Sequence, residues 1–229
     1  MLDRKVLKKL PFGILLIFYA SFLFLAGCPK KASDEIDFGT FTNATYQNKY
    51  FGLSVEIPPD WSIQDDEAQK QLIQTGSDIL AGDDKNSKAI IEASCLQTVY
   101  LFTVFEHPVG SPVSYNPCIA TVAEKIRNMP GIQRGRDYLY HARGFLEQSR
   151  LEATFSEEIP SEILGGVSFD VMSVEMSIKG MSVRQKYYAT VMKGYALSFI
   201  ISYGNDEQMS LLANILKTVH FDNPTVDVP

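Results

Sequence analysis

The residues of this 229-residue chain that are able to do chemistry are few and scattered. Its three histidines, His107, His141 and His220, lie far apart, and none has a His, Cys or carboxylate at metal-ligand spacing. Glu157, Glu158 and Glu162 form an acidic run that could attract a cation, although such a run is far more often a solvated face. No phosphate-cradling glycine loop, zinc pattern, serine elbow or calcium loop occurs. The sequence therefore names no catalytic residue, no metal ligand and no cofactor, and the expectation is a protein that is not an enzyme. Open beside it are a binder of small molecules or polymers, and an enzyme whose acid–base pair is assembled only by folding.

Two stretches offer recognition instead. The first is the loop HPVGSPVSYNP, residues 107–117, whose prolines stiffen it and whose His107, Tyr115 and Asn116 would rim a binding site. The second is a basic island over residues 124–150. Lys125, Arg127, Arg134, Arg136, Arg143 and Arg150 stand there against Glu124, Asp137 and Glu147. At 100° per residue, Arg136, Tyr140, Arg143 and Glu147 share the sector opposite Ala142, while Tyr138, Leu139, Phe145 and Leu146 surround Ala142. Arg127, Arg134, Arg136, Tyr140 and Arg143 then make a surface whose planar donor forks suit a phosphate, a carboxylate or an acidic partner.

The third candidate is Cys28. Arg4, Lys5, Lys8 and Lys9 precede an uncharged run from Pro11 to Leu25, and then Ala26-Gly27 lead into the cysteine. A basic region, an apolar region too short for a comfortable span and small residues before a break are the parts of an export signal. LAGC, residues 25–28, resembles the lipobox of bacterial lipoproteins. That resemblance implies cleavage after Gly27, diacylglycerol thioether-linked to Cys28 and fatty acid on the new N-terminus. The membrane is then a partner through covalent lipid. Pro29 in place of Asp is the pattern that goes with sorting to the outer membrane, facing the periplasm. Two or three acyl chains, at about 0.8 kcal/mol per buried methylene, make such attachment effectively permanent.

With residues 1–27 removed the composition shifts. The leader holds four of the 21 basic residues and one of the 27 acidic ones, leaving 17 against 26 and a formal charge of about −9. So acidic a chain is not expected to bind nucleic acid or anionic lipid through its overall field. Cys95 and Cys118 remain, and in an oxidising compartment they are either bridged or two buried thiols.

The elements that must position these residues are legible in outline. Residues 28–44 read as a lipidated flexible tether, 45–221 as a single globular domain and 222–229 as a loose tail. YFGLSVEIPPDW alternates as a strand before Pro58-Pro59, and Trp61 starts another. A helix follows Asp65-Asp66-Glu67, and a second is expected over 87–94. QTVYLFTVFE, apolar on both faces, predicts a central strand. Asn116 as cap and Pro117 in the first turn predict a helix running to about Asn128 with Cys118 at its start. Another helix is expected over 136–149, then three strands from Val167 to Tyr203 turning at Lys179-Gly180 and Lys193-Gly194, and a closing helix over Glu207 to Thr218. Hairpin-linked strands with single-stripe helices give an α+β fold, an antiparallel sheet covered by helices.

YFGLSVEIPPDW, GYALSFIISY and a last helix ending in TVHF resemble the PsbP-like fold. The resemblance implies a layered antiparallel sheet between helices. It also implies a non-catalytic binding or assembly module, here of the cell envelope with a protein partner. The alternative functions become a small-molecule or envelope-polymer binder, or an enzyme without a recognisable motif.

Overall fold

The computed structural model describes residues 36–82, 88, 97–149, 151–178 and 180–224. The leader, Cys28, Cys95, Arg150, the helix expected over 87–94 (apart from Lys88) and residues 225–229 lie outside them. In chain order come β1 (Thr40–Thr42), β2 (Thr45–Asn48), β3 (Leu53–Glu56), β4 (Ser62–Ile63), α1 (Asp66–Ala81), β5 (Thr98–Phe105) and β6 (Cys118–Lys125). There follow α2 (Gly135–Gln148), β7 (Glu152–Phe155), β8 (Ser161–Leu164), β9 (Val167–Ile178), β10 (Met181–Met192), β11 (Tyr195–Tyr203), α3 (Asp206–Leu216) and β12 (His220–Phe221).

The strands form two antiparallel sheets. The large one runs β4-β5-β6-β11-β10-β9-β7, with β8 also on β9, and the small one runs β1-β2-β3-β12. The fold is α+β. Its centre is set by two tight hairpins: Lys193 and Gly194 both take positive φ (53° and 76°), as a two-residue turn matched to strand twist requires. Gly180 at φ 83° serves the other.

Because side chains alternate along a strand, each long strand feeds two cores. On one face of the large sheet Val183, Tyr187, Ala189 and Val191 of β10 pack in one cluster with Tyr138, Leu139, Ala142 and Leu146 of α2 and with Leu80 and Ala81 of α1. On the other, Tyr188 and Met192 of β10 join Phe199 and Ile201 of β11, the small sheet, and Leu212, Ile215 and Leu216 of α3. The helices start where side-chain acceptors meet free N–H groups: Asp65 accepts from Ala68 N (2.8 Å) and Asn205 from Gln208 N (2.9 Å).

Four expectations need correction. Residues 118–125 are strand, not helix: Ile119, Thr121 and Val122 are β-branched, and β6 is buried on both faces between β5 and β11. β5 lies beside the edge strand β4 rather than at the centre; its two apolar faces come from covering layers and from a register shift between Tyr100 and Phe102 that puts Leu101 and Phe102 in the same core. Ordered structure begins before residue 45, since β1 pairs with β2 and the Asp37 carboxylate accepts from Gly39 N, Lys49 N (3.1 Å) and Tyr50 N (3.2 Å). At the other end Asp222, assigned to the tail, donates its N–H to Gly52 O (2.7 Å).

Candidate functional site

Helix α2 carries Arg136 and Arg143 of the basic island, with Arg134 as its N-cap residue, and its phase is the expected one. Tyr138, Leu139, Ala142 and Leu146 are buried, whereas Tyr140 is 58 % exposed. The arginines do not stand alone. Arg136 Nη2 lies 3.1 Å from Asp170 Oδ1, while the same carboxylate accepts from Arg136 N at 2.8 Å and from the Ser161 hydroxyl. Arg143 Nε is 2.8 Å from Glu147 Oε1, and its guanidinium lies over the Phe155 ring at 4.9 Å. Arg134 Nε is 4.0 Å from Asp137 Oδ2, which also accepts from Arg134 N. An anionic partner would have to compete with three carboxylates already in place. Arg127 belongs to a different locality, beside the β10–β11 turn, where a Cβ on Gly194 would lie 3.1 Å from its Nε.

The proline-rich loop is fastened inward, and this corrects the expectation of an aromatic rim. Asn116 caps no helix. Its Oδ1 accepts from His107 N (3.0 Å) and its Nδ2 donates to His107 O (2.7 Å), closing the loop on itself. Tyr115 is buried, its hydroxyl against that of Ser202, and Gln208 Nε2 donates to its carbonyl at 3.0 Å. His107 is half-buried and lies 3.7 Å from Glu106. Of the three residues only His107 reaches the surface.

Between the large sheet and α2 runs a set of buried polar groups that the sequence did not reveal. Glu124, on β6, is fully buried; its Oε2 accepts from Tyr138 OH at 3.0 Å, and its Oε1 has no hydrogen-bond partner among the described residues. Burial pushes its carboxyl up to about 8. Tyr187 OH donates to Gln185 Oε1, and Gln185 Nε2 donates to Ser202 Oγ (3.2 Å), which also meets Tyr115. Cys118 is a buried free thiol at the start of β6, held well above the usual thiol range by burial. The sequence sets Glu124 among the acids of the basic island, on an expected helix over residues 118–125. Only once residues 118–125 are known to be strand does position parity put Glu124 on the face of Cys118, Ala120 and Val122, because the run itself carries no polar–apolar period. All of these groups are buried.

Among the described residues no group of three His, Cys, Asp or Glu side chains is placed to hold a metal ion, and no helix is long and apolar enough to cross a membrane. No protein-family model matches the chain, and no curated protein does either. Among solved structures it is similar to the solution structure of cyanobacterial PsbP (CyanoP) from Synechocystis sp. PCC 6803, with 10 % identity, 86 % of this chain and 99 % of that one covered, and a TM-score of 0.48. It is also similar to LpqN, involved in cell envelope biogenesis of Mycobacterium tuberculosis, with 17 % identity, 73 % and 82 % covered, and a TM-score of 0.40. A third is PA94 of Pseudomonas aeruginosa, a protein of unknown function, with 11 % identity, 79 % and 97 % covered, and a TM-score of 0.41.

Proposed function

We propose that this chain is a lipid-anchored, extracytoplasmic module of a bacterial envelope that binds another macromolecule and performs no catalysis. The observation that carries the reading is the leader: four basic residues, an uncharged run and LAGC coincide in the first 28 positions. Nine residue steps lead from Cys28 to Asp37, whose carboxylate makes folded contacts, so the domain stands at most about 30 Å from its anchor. The partner face we assign to the exposed side of α2, where Tyr140 is flanked one turn away by Arg136 and Arg143.

Replacing the thiol tests the anchor directly. In cells fed a labelled fatty acid, the native chain is expected in the membrane fraction carrying label, and Cys28→Ser as an unprocessed or diffusible product without label. Label on the Cys28→Ser chain in the membrane fraction would overturn the reading.

A further inference from the structure

The charges of this acidic protein are not spread evenly from one end of its large sheet to the other, and the chain enters at the basic end. Asp37, nearest in sequence to Cys28, holds the backbone N–H groups of Lys49 and Tyr50. Tyr50 and Lys193 grip each other, Lys193 Nζ donating to Tyr50 O (2.5 Å) and Tyr50 OH to Lys193 O (3.3 Å). Tyr50 also meets the Tyr195 ring at 5.7 Å, and Tyr195 is paired across the sheet with Lys125. Ile126 N donates to Gly194 O at 3.1 Å, which sets Arg127 beside that turn. Chain entry, the β2–β3 turn, the β10–β11 turn and the end of β6 thus form one locality.

That locality presents Lys49, Lys125 and Arg127 exposed, with the half-buried Lys193 behind them. Among the described residues, the acids beside them are engaged. Asp37 is spent on backbone N–H groups, and Asp222 Oδ1 lies 3.2 Å from His220 Nε2. At the other end of the sheet, where β11 finishes, Arg184 stands opposite Glu175 and 2.8 Å from Asp206, with Glu207 next in the chain, while Glu106 follows the end of β5 two strands further along. Along β10, eight residue steps separate Arg184 from Met192, about 27 Å at strand rise, more than twice the Debye length of about 10 Å at 0.1 M salt. A charged surface that touches one end therefore hardly senses the other.

We infer that the chain-entry end is the membrane-facing side of the domain, where Lys49, Lys125 and Arg127 lie against anionic lipid headgroups. The inference rests on the lipid anchor at Cys28 proposed above. The anchor keeps the domain within reach, and the local charge then selects which end turns toward the bilayer. The chain as a whole, at about −9 once the leader is removed, is repelled by such a surface, so the patch orients rather than recruits.

Lysine footprinting of the native, acylated mature chain tests this. The chain is placed on vesicles of phosphatidylcholine alone, or of phosphatidylcholine and phosphatidylglycerol in a three-to-one ratio, and acetylated with a water-soluble succinimidyl ester. Lys49 and Lys125 are expected to react at least about threefold more slowly on the anionic vesicles, against about fivefold for one basic side chain held at such a surface. Lys186, well along β10 from the patch, should react equally on both. Salt of about 0.5 M should erase the difference, as should Lys49→Glu with Arg127→Glu, read at Lys125. Equal rates at Lys49 and Lys125 on both vesicles, or slowing at Lys186 instead, would overturn the inference while flotation with the vesicles leaves the anchor intact. A mature chain that fails to float with either vesicle overturns the anchor and this orientation with it.

Discussion

Glu124 is a carboxylic acid that the fold keeps neutral. Unfolded, it gives up its proton at the ordinary 4.5; folded, buried against Tyr138, it holds the proton to about 8. Between these values the native chain binds one more proton than the unfolded one, so this residue makes stability fall as pH rises. The slope is about 1.4 kcal/mol per pH unit, flat below the unfolded value and levelling above the folded one. Glu124→Gln removes the titration and keeps the shape. Its urea midpoint, relative to the native chain, is expected to improve steadily from pH 5 to pH 8. A constant difference between the two midpoints over that range would mean that Glu124 is ionised in the fold.

Among the elements, α2 shows how closely the helical layer lies on the large sheet. Gly135 opens the helix where a Cβ would fall 2.0 Å from Ala189 O and 2.7 Å from its carbonyl carbon, and backbone cannot move aside as a flexible side chain can. Gly135→Ala is expected to destabilise by about 3 kcal/mol or more in chemical denaturation. Gly144, in the same helix with nothing within 4 Å of its Cβ position, gives the contrast: Gly144→Ala should stabilise by up to about 1 kcal/mol. Equal effects would show that helix propensity, not contact, governs both. What the sequence made legible follows from the same physics. α2, the three strands from Val167 to Tyr203 and the closing helix bury one stripe or alternate cleanly, and their periods survive in the residue pattern. β6 does not, because β5, β11 and both covering layers bury it throughout, which leaves CIATVAEK with no period to read. Asn116-Pro117 before it then imitated a helix start, although the Asn116 amide serves His107. The candidate site suffered most from that one misreading, since Tyr115, Asn116 and Glu124 all lie on or beside β6. The arginines on α2 were placed correctly, but their partners Asp170 and Phe155 come from β9 and β7 and cannot be seen from the helix alone.

For the molecule as a whole, the decisive contacts are those that bring the first and last described strands into one small sheet. β12 pairs with β3 through His220 and Ser54, and β1 pairs with β2, so residues on both sides of the globular core close the same face. Residues 37–42 were expected to be tether because they are short and polar. Yet Tyr46 OH donates to Phe38 O (2.8 Å), and Phe41 lies edge-on to Phe102 with ring centres 5.9 Å apart. A chain that starts at Thr45 would uncover Tyr46 and Phe102 and leave the N–H groups of Lys49 and Tyr50 without the Asp37 carboxylate. The loss is expected to be about 2 to 3 kcal/mol from apolar area and displaced hydrogen bonds. For a domain of this size that lowers the melting temperature by roughly 5 to 10 °C. A chain that starts at Ile36 keeps all of these contacts and should melt with the full mature protein. Identical melting of the two shortened chains would return residues 37–44 to the tether, moving the start of the folded unit outward from the bilayer by up to about 25 Å of extended chain.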